Sequence, residues 1–357
     1  MATPPEFLYP RVIRPLLFRL DAERAHQVTL AFLALLPTIP RRRDPFELAV
    51  RLFGINFRNP VGVAAGLDKD ARAIRAWSGL GFGFAEIGTI TPRPQPGNVR
   101  PRIWRLPEHR ALINRLGFPS AGMRTVARRV SRARHESLRI RIGLNFGPNK
   151  ATAAQNVAND YSVLIRQLGR FADFIVINVS SPNTPGLREW QTPERLSELL
   201  GGIMDARDSL SRRPSILLKL APDLDETMAA RICDTALTSG ISGIVAGNTT
   251  IAREEAGVKS ELQGGLSGPP LLQKSRALIR DIYLSSGGKL PIIGVGGISS
   301  AQDAYAHIRA GASLVEIYTA LIYEGPALVG AIKHGLVGLL ARDGLRSISE
   351  AVGGDYQ

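Results

Sequence analysis

The chain has 357 residues, 44% of them hydrophobic, with mean hydropathy close to zero, a formal net charge of +14 and one cysteine. That length holds one large barrel or two ordinary domains, and the lone Cys233 excludes a disulfide framework and a cysteine-based metal site. No run reaches the ~18 apolar residues of a membrane-spanning helix, and the Arg-dominated charge fits nucleic acid, an anionic membrane surface or anionic small ligands, or simply the habit of an Arg-rich proteome.

The first 45 residues stand apart from the rest. Phe7, Leu8, Val12, Ile13, Leu16, Leu17 and Leu20 recur at helical spacing, punctuated by Arg11, Arg14 and Arg19. A second helix is predicted over 22–36, with Asp21 as its N-cap and Pro37 as its stop. Two short amphipathic helices followed by Arg41, Arg42 and Arg43 read as an interfacial membrane module; the alternative is a pair of ordinary helices on a barrel flank. No signal peptide is read in this stretch.

From Pro60 onward, short apolar strands alternate with amphipathic helices. Strands are predicted over 61–65, 84–88, 140–145, 174–178, 216–220, 243–247, 291–295 and 314–318, and helices over 156–168, 193–207, 225–239 and 301–310, among others. Eight β-α units predict a closed (β/α)8 TIM barrel over 46–357. An open doubly wound sheet lacks its Gly-rich fingerprint after the first strand. Cys233 falls on the apolar stripe of the 225–239 helix and reads as core.

One connection is too long for a turn. Residues 91–139 separate the second and third strands, and twelve arginines lie between Arg100 and Arg141. Long insertions in compact domains are usually functional. The arginines are scattered and no base-stacking platform accompanies them; nucleic acid is therefore not the expected partner, and an anionic surface or solvated charge is the simpler reading.

The residues able to carry chemistry cluster at predicted strand ends. Strand 174–178 runs into Asn178, Ser181, Asn183 and Thr184, with Pro182 and Pro185 stiffening the turn, and in a parallel α/β protein that is where chemistry sits. The seventh and eighth strands lead into Gly294, Gly296 and Gly297, and into Tyr318 and Thr319. Those are the two places where such barrels hold a phosphate, on either a substrate or a cofactor. Small residues at 64–66 leave room for a flat ring, and Lys69 projects a cation at the barrel mouth. Lys219, inside an apolar strand, demands a negative partner, expected to be an anionic ligand. Asn114, Asn145, Asn178, Asn183 and Asn248 offer amides suited to a ligand with alternating C=O and N–H groups, such as a pyrimidine. The five histidines have no metal-ligand spacing, so no metal is expected, and no Ser-His-Asp order is evident.

Taken together, these segments resemble the quinone-dependent, class 2 dihydroorotate dehydrogenases of pyrimidine synthesis, over nearly the whole chain. The resemblance rests on AAGLDK at 64–69, EIGTITP at 86–92, RPRIWRLP at 100–107, NRLGF at 114–118 and NVSSPNT at 178–184. It continues through LKLAPD at 218–223, NTT at 248–250, GGLSG at 264–268, GVGG at 294–297 and the Tyr318-Thr319 pair. It implies FMN in the barrel mouth, contacted by Ala64, Ala65, Gly66, Leu67, Asp68, Thr89, Asn145, Asn178, Lys219, Gly247, Gly268, Gly297, Tyr318 and Thr319. Dihydroorotate is implied at Lys69, Asn114, Arg115, Leu116, Gly117, Phe118, Asn178, Asn183, Asn248 and Thr249. Ser181 is the implied base, at a position that is cysteine in the related soluble, class 1 enzymes.

The resemblance further implies a quinone tunnel between the N-terminal helices, lined by His26, Arg105 and Tyr318. The expected protein is a monomer at the cytoplasmic face of the inner membrane, on an anionic lipid surface. The expected reaction removes the C5 proton to Ser181 and the C6 hydride to FMN, yielding orotate, with a membrane quinone as final acceptor. Residues 181–191, hinged at Gly186, are expected to act as a lid. Gly247 departs from the family, which often carries a hydroxyl residue before Asn-Thr-Thr. The nearest enzymatic alternative is another flavin barrel that reduces a uracil-like base with a nicotinamide donor. A redox-inactive phosphate-binding barrel or basic membrane scaffold is the alternative outside enzymes.

Overall fold

Eight apolar segments of the chain are too short for helices and too uniformly apolar for a half-exposed sheet, and they close on one another. The computed structural model describes residues 8–37, 43–136, 138–184, 186–254 and 257–356. In chain order the strands are β1 (Val50–Leu52), β2 (Ile55–Phe57), β3 (Val61–Val63), β4 (Phe84–Ile90), β5 (Ile103–Leu106), β6 (Ala111–Asn114) and β7 (Arg141–Phe146). They continue as β8 (Phe174–Asn178), β9 (Ser215–Leu220), β10 (Gly243–Ala246), β11 (Gly265–Ser267), β12 (Ile292–Val295) and β13 (Ala312–Ile317). Strands β3, β4, β7, β8, β9, β10, β12 and β13 form the closed barrel, each parallel to its neighbours. The expected strands are all present, with ends differing by one or two residues.

Parallel strands buried on both faces need no polar alternation, and β4, β8 and β10 are buried at every position. Their outer faces pack on helices such as Val157–Leu168, Pro193–Asp208, Glu226–Thr238 and Ala301–Arg309. Cys233 lies fully buried in that layer, as expected of core, with burial pushing its thiol up to about 11. The end of the barrel away from the site is filled by aromatic rings: Phe84 and Phe174 meet at 6.0 Å, and Phe57 lies 5.6 Å from Phe84. Phe57 comes from the β1–β2 hairpin, an antiparallel plug absent from the expected elements. Its three-residue strands are too short to show a period.

The long connection resolves into two parts. Its end is an ordinary barrel helix, Met123–Arg134. Its beginning forms β5 and β6, which pair antiparallel with each other and with β11 to make a small sheet. Several of its arginines serve the protein itself. Arg102 and Arg100 bind Glu23, Arg134 binds Asp173 at 2.8 Å, and Arg129 donates to the Asp70 carbonyl. Simple solvated charge therefore describes only part of the run.

At the N-terminus, helices Arg14–Phe18 and Ala22–Leu35 form, the second capped by the Asp21 carboxylate, which accepts from Glu23 and Arg24 N–H groups. They are docked as well as amphipathic: Arg14 donates to the Tyr323 carbonyl at 2.8 Å and Tyr9 to that of Ile322 at 2.9 Å. These helices and the Tyr9–Ile13 turn before them still expose Leu8, Val12, Leu16, Val28, Phe32 and Leu35, the last at 84%. No helix among the described residues is long and apolar enough to cross a membrane. Phe7, Arg41, Arg42 and Pro185 lie outside the described residues.

Candidate active site

A cavity opens where the carboxyl ends of the barrel strands meet the β5–β6–β11 sheet. It draws its wall from distant parts of the chain. Its lining includes Lys69, Asn114, Leu116, Gly117, Phe118, Asn178, Ser181, Asn183, Asn248 and Thr249, together with Ala64, Ala65, Gly66, Thr89, Lys219, Gly268, Gly297, Tyr318 and Thr319. Leu67, Asp68, Asn145, Gly247 and Arg115 stand outside the wall, and so do His26 and Arg105.

Asn145 is bonded to Asn178 and Glu86, and physical reasons account for the other six. Asp68 is fully buried and accepts from the Arg72 and Ala73 backbone N–H groups and from the Trp77 indole, so it fastens the turn behind the cavity. Arg115 stacks its guanidinium 5.4 Å above the Trp104 ring. Arg105 sits 4.5 Å over Phe18 and donates to the Leu20 carbonyl at 2.8 Å, gripping the end of the Arg14–Phe18 helix. His26 lies on the Ala22–Leu35 helix; burial, and then the nearby Lys69 charge, push it down to about 3, so it is neutral. Leu67 is core. Gly247 has φ +121°, and a Cβ there would run into the Val295 carbonyl. Glycine is therefore demanded by its own backbone, and a hydroxyl residue has no room in this chain.

A chain of amides and hydroxyls supports the catalytic face. Asn178 Nδ2 donates to Thr89 Oγ1 at 2.9 Å and to Asn145 Oδ1 at 3.3 Å, while its own Oδ1 accepts from Ser180 Oγ at 3.0 Å. Asn248 Nδ2 donates to Ser180 Oγ at 2.8 Å, and Thr249 N–H donates to Asn248 Oδ1. Asn183 Nδ2 donates to the Asn114 carbonyl at 3.1 Å, tying the loop after β8 to β6. Ser181 is 6% exposed, and its Oγ accepts from Asn183 N–H at 3.3 Å. A hydroxyl has one proton to give and two lone pairs, so this contact leaves the O–H itself available.

Lys219 meets carboxylates of the protein, where an anionic ligand alone was expected. Its Nζ donates to both oxygens of Glu86, at 2.9 and 3.1 Å, and lies 3.8 Å from Glu316. Asn145 Nδ2 also donates to Glu86. Burial would lower Lys219, but Glu86 and Glu316 outweigh it and hold the ammonium charged. Lys69, half-buried, donates to the Gly66 carbonyl, and burial brings it down to about 8.

The loop after β8 is held by a residue the sequence did not single out. Arg188 donates to the Ser180 carbonyl at 3.0 Å, to Asp223 at 2.9 Å and to the Thr249 carbonyl at 3.1 Å. It thus joins the loops after β8, β9 and β10 across the cavity's edge. Gly186, the expected hinge, has φ +72°.

Residues 47–340 match the family model described as dihydroorotate dehydrogenase. The chain belongs to the dihydroorotate dehydrogenase family. Among relatives, a protein of Parvibaculum lavamentivorans named dihydroorotate dehydrogenase (quinone) is 49% identical over 98% of this chain and 99% of its own length. One of the same name from Anaeromyxobacter dehalogenans is 47% identical over 98% of each. The crystal structure of the Eimeria tenella enzyme in complex with ferulenol superposes with a TM-score of 0.89 at 39% identity, covering 94% of this chain and 96% of that one. The dihydroorotate dehydrogenase fold thus extends over the whole barrel, including the sheet that overhangs the cavity.

Proposed function

We infer that this protein oxidises dihydroorotate to orotate in pyrimidine biosynthesis, using FMN and delivering the electrons to a quinone. The observation that carries the reading is the cavity itself, whose lining brings amides, hydroxyls and Lys69 together with small residues and glycine loops. FMN fits those residues. A flat ring can lie along Ala64, Ala65 and Gly66, and a phosphate suits the Gly296–Gly297 and Tyr318–Thr319 end, where positive-φ glycines keep the wall free of side chains. When bound, the flavin supplies the two-electron acceptor. The remaining chemistry belongs to the chain. Ser181 Oγ takes the C5 proton, the amides of Asn114, Asn178, Asn183 and Asn248 with Thr249 hold the ring's polar edges, and Lys69 neutralises the carboxylate. A yellow colour with a flavin spectrum in the purified protein separates this reading from a redox-inactive phosphate-binding barrel.

Lys69 gives the reading a pH signature. Its amine is charged below about pH 8 and neutral above it, so attraction for the substrate carboxylate is present on the acid side and lost as pH rises. The expected result is that kcat/KM for dihydroorotate falls about tenfold per pH unit beyond that point, chiefly through KM. An alkaline limb that stays flat removes Lys69 from the carboxylate site.

Residues 1–45 act in this proposal as a quinone-access module attached to the 46–357 barrel. The module holds a monomer peripherally at an anionic lipid surface, on the cytoplasmic face of the cell membrane. Exposed Val28, Phe32 and Leu35 on one helix and Leu8, Val12 and Leu16 before it support that role, because apolar residues on outward helical faces gain by burial in lipid. Deleting residues 1–40 is expected to leave anaerobic flavin bleaching by dihydroorotate intact while abolishing flotation with anionic vesicles and turnover with a long-chain quinone. Survival of quinone turnover removes the module from the electron path.

A further inference from the structure

Four arginines gather at a second, smaller pocket that the chemistry above leaves without a task. Arg72 and Arg75, at the start of the Ile74–Leu80 helix, line it together with Arg129 and Arg132 of the Met123–Arg134 helix. The last two are three residues apart, which sets them on one side of their helix. Ala34, from the Ala22–Leu35 helix, belongs to the same lining. Among the described residues Glu136 is the one carboxylate there, and both its oxygens accept from Arg75. Arg129 spends one N–H on the Asp70 carbonyl at 2.9 Å. Arg72 and Arg132 are exposed, and among the described residues neither guanidinium has a hydrogen bond or an ion pair.

Like charges brought together repel one another, and a cleft lined by one sign of charge concentrates the opposite ion. A guanidinium offers its N–H groups as a planar fork that matches two oxygens of a phosphate, so two uncommitted forks at one pocket suit a phosphate group. The ground beside the pocket is apolar. Leu35, next in sequence to Ala34, is exposed, and Phe32 and Val28 continue the exposed apolar residues back along the same helix. Arg43, beyond the end of that helix, is exposed as well. A free phosphate would use the arginines alone. A phosphate tied to acyl chains uses the arginines and the apolar residues together.

We propose that this pocket seats the phosphate of an anionic phospholipid headgroup, with the acyl chains against Val28, Phe32 and Leu35. The assignment rests on the reading of residues 1–45 as a membrane-facing module. It adds a headgroup site on the barrel itself, made in part by arginines of the long connection after β4, so that the barrel and the module grip the same lipid surface.

The test is the affinity of the full chain for phosphatidylcholine vesicles with and without phosphatidylglycerol. Wild type is compared with the pair Arg72→Gln and Arg132→Gln, and with a control pair, Arg213→Gln and Arg346→Gln, exposed arginines outside the pocket. Each pocket arginine is expected to contribute about fivefold to binding of the anionic vesicles, and the two together about thirtyfold, while the control pair binds as wild type does. The Arg72 bond to Asp68 comes from its backbone N–H, so the pocket pair is expected to keep wild-type flavin bleaching by dihydroorotate. If that bleaching is lost, Arg132→Gln alone decides, with about fivefold weakening expected. Undiminished vesicle affinity in the pocket variants, or equal weakening in the control pair, overturns the headgroup site alone. Wild type that ignores phosphatidylglycerol overturns the membrane reading and the site with it. Calorimetric binding of inorganic phosphate that the pocket pair loses, with vesicle affinity unaltered, makes the occupant a free anion and overturns the lipid assignment.

Discussion

Ser181→Ala is expected to slow anaerobic bleaching of the flavin by saturating dihydroorotate about 10²–10⁴-fold, the usual worth of a positioned acid–base group, with little change in substrate affinity. The side chain lies against the cavity, 6% exposed, and its loss removes one oxygen and creates no packing defect of consequence. Its Oγ already accepts one hydrogen bond, from Asn183 N–H, so the loop shape is fixed by backbone, by Arg188 and by the Asn183–Asn114 contact as well. That is why substrate binding should survive. A hydroxyl is a weak base at neutral pH, so the proton it receives has to leave along a hydrogen-bond chain to solvent. Ser181→Cys should therefore recover part of the rate lost in Ser181→Ala, since a thiol near its ordinary value of about 8.5 is the stronger acid. Stopped-flow reduction separates the outcomes: bleaching of Ser181→Ala at the wild-type rate takes the base role away from this residue.

Much of the barrel was legible in the sequence because its strands are continuous apolar runs, and a run such as 174–178 has little freedom to be anything else. The parallel order followed from the repeated strand–helix alternation, and the Ala22–Leu35 helix from a capping aspartate and a following proline. The β1–β2 hairpin and the β5–β6–β11 sheet were not legible. Their strands have three or four residues, and the third partner, β11, arrives from more than 140 residues along the chain.

Within the site, polar residues at strand ends were readable, since a polar group ending an apolar strand has to face either solvent or a ligand. Side-chain direction was not. Asp68 and Lys69 are adjacent, yet Asp68 turns inward to cap backbone N–H groups while Lys69 lines the cavity. Arg115 and Leu116 divide in the same way, onto Trp104 and into the cavity. The Lys219 partners were present as a signal that went unused. Glu86 and Glu316 each interrupt an apolar strand as Lys219 does, and three such interruptions of mixed sign inside one barrel point to one another before they point to a ligand.

That cluster sets the other large effect. Lys219→Met is expected to destabilise the protein by about 3–5 kcal/mol, the cost of leaving a buried charge without its partner, and to lose most of its FMN. Lys219 is 4% exposed and Glu86 is fully buried, so neither water nor a surface charge can replace the ammonium. The Asn145 amide remains on Glu86, but a single neutral donor does not compensate a full charge. Removing the stranded carboxylate should restore stability. The double variant Lys219→Met with Glu86→Gln is expected to unfold in urea much closer to wild type than the single variant, because the two substitutions share one interaction and cannot be additive. FMN binding should not return with it, since the cation facing the cavity is still missing. Recovery of stability together with flavin would mean that Lys219 serves the fold alone; recovery of stability without flavin assigns it both to the barrel interior and to the ligand.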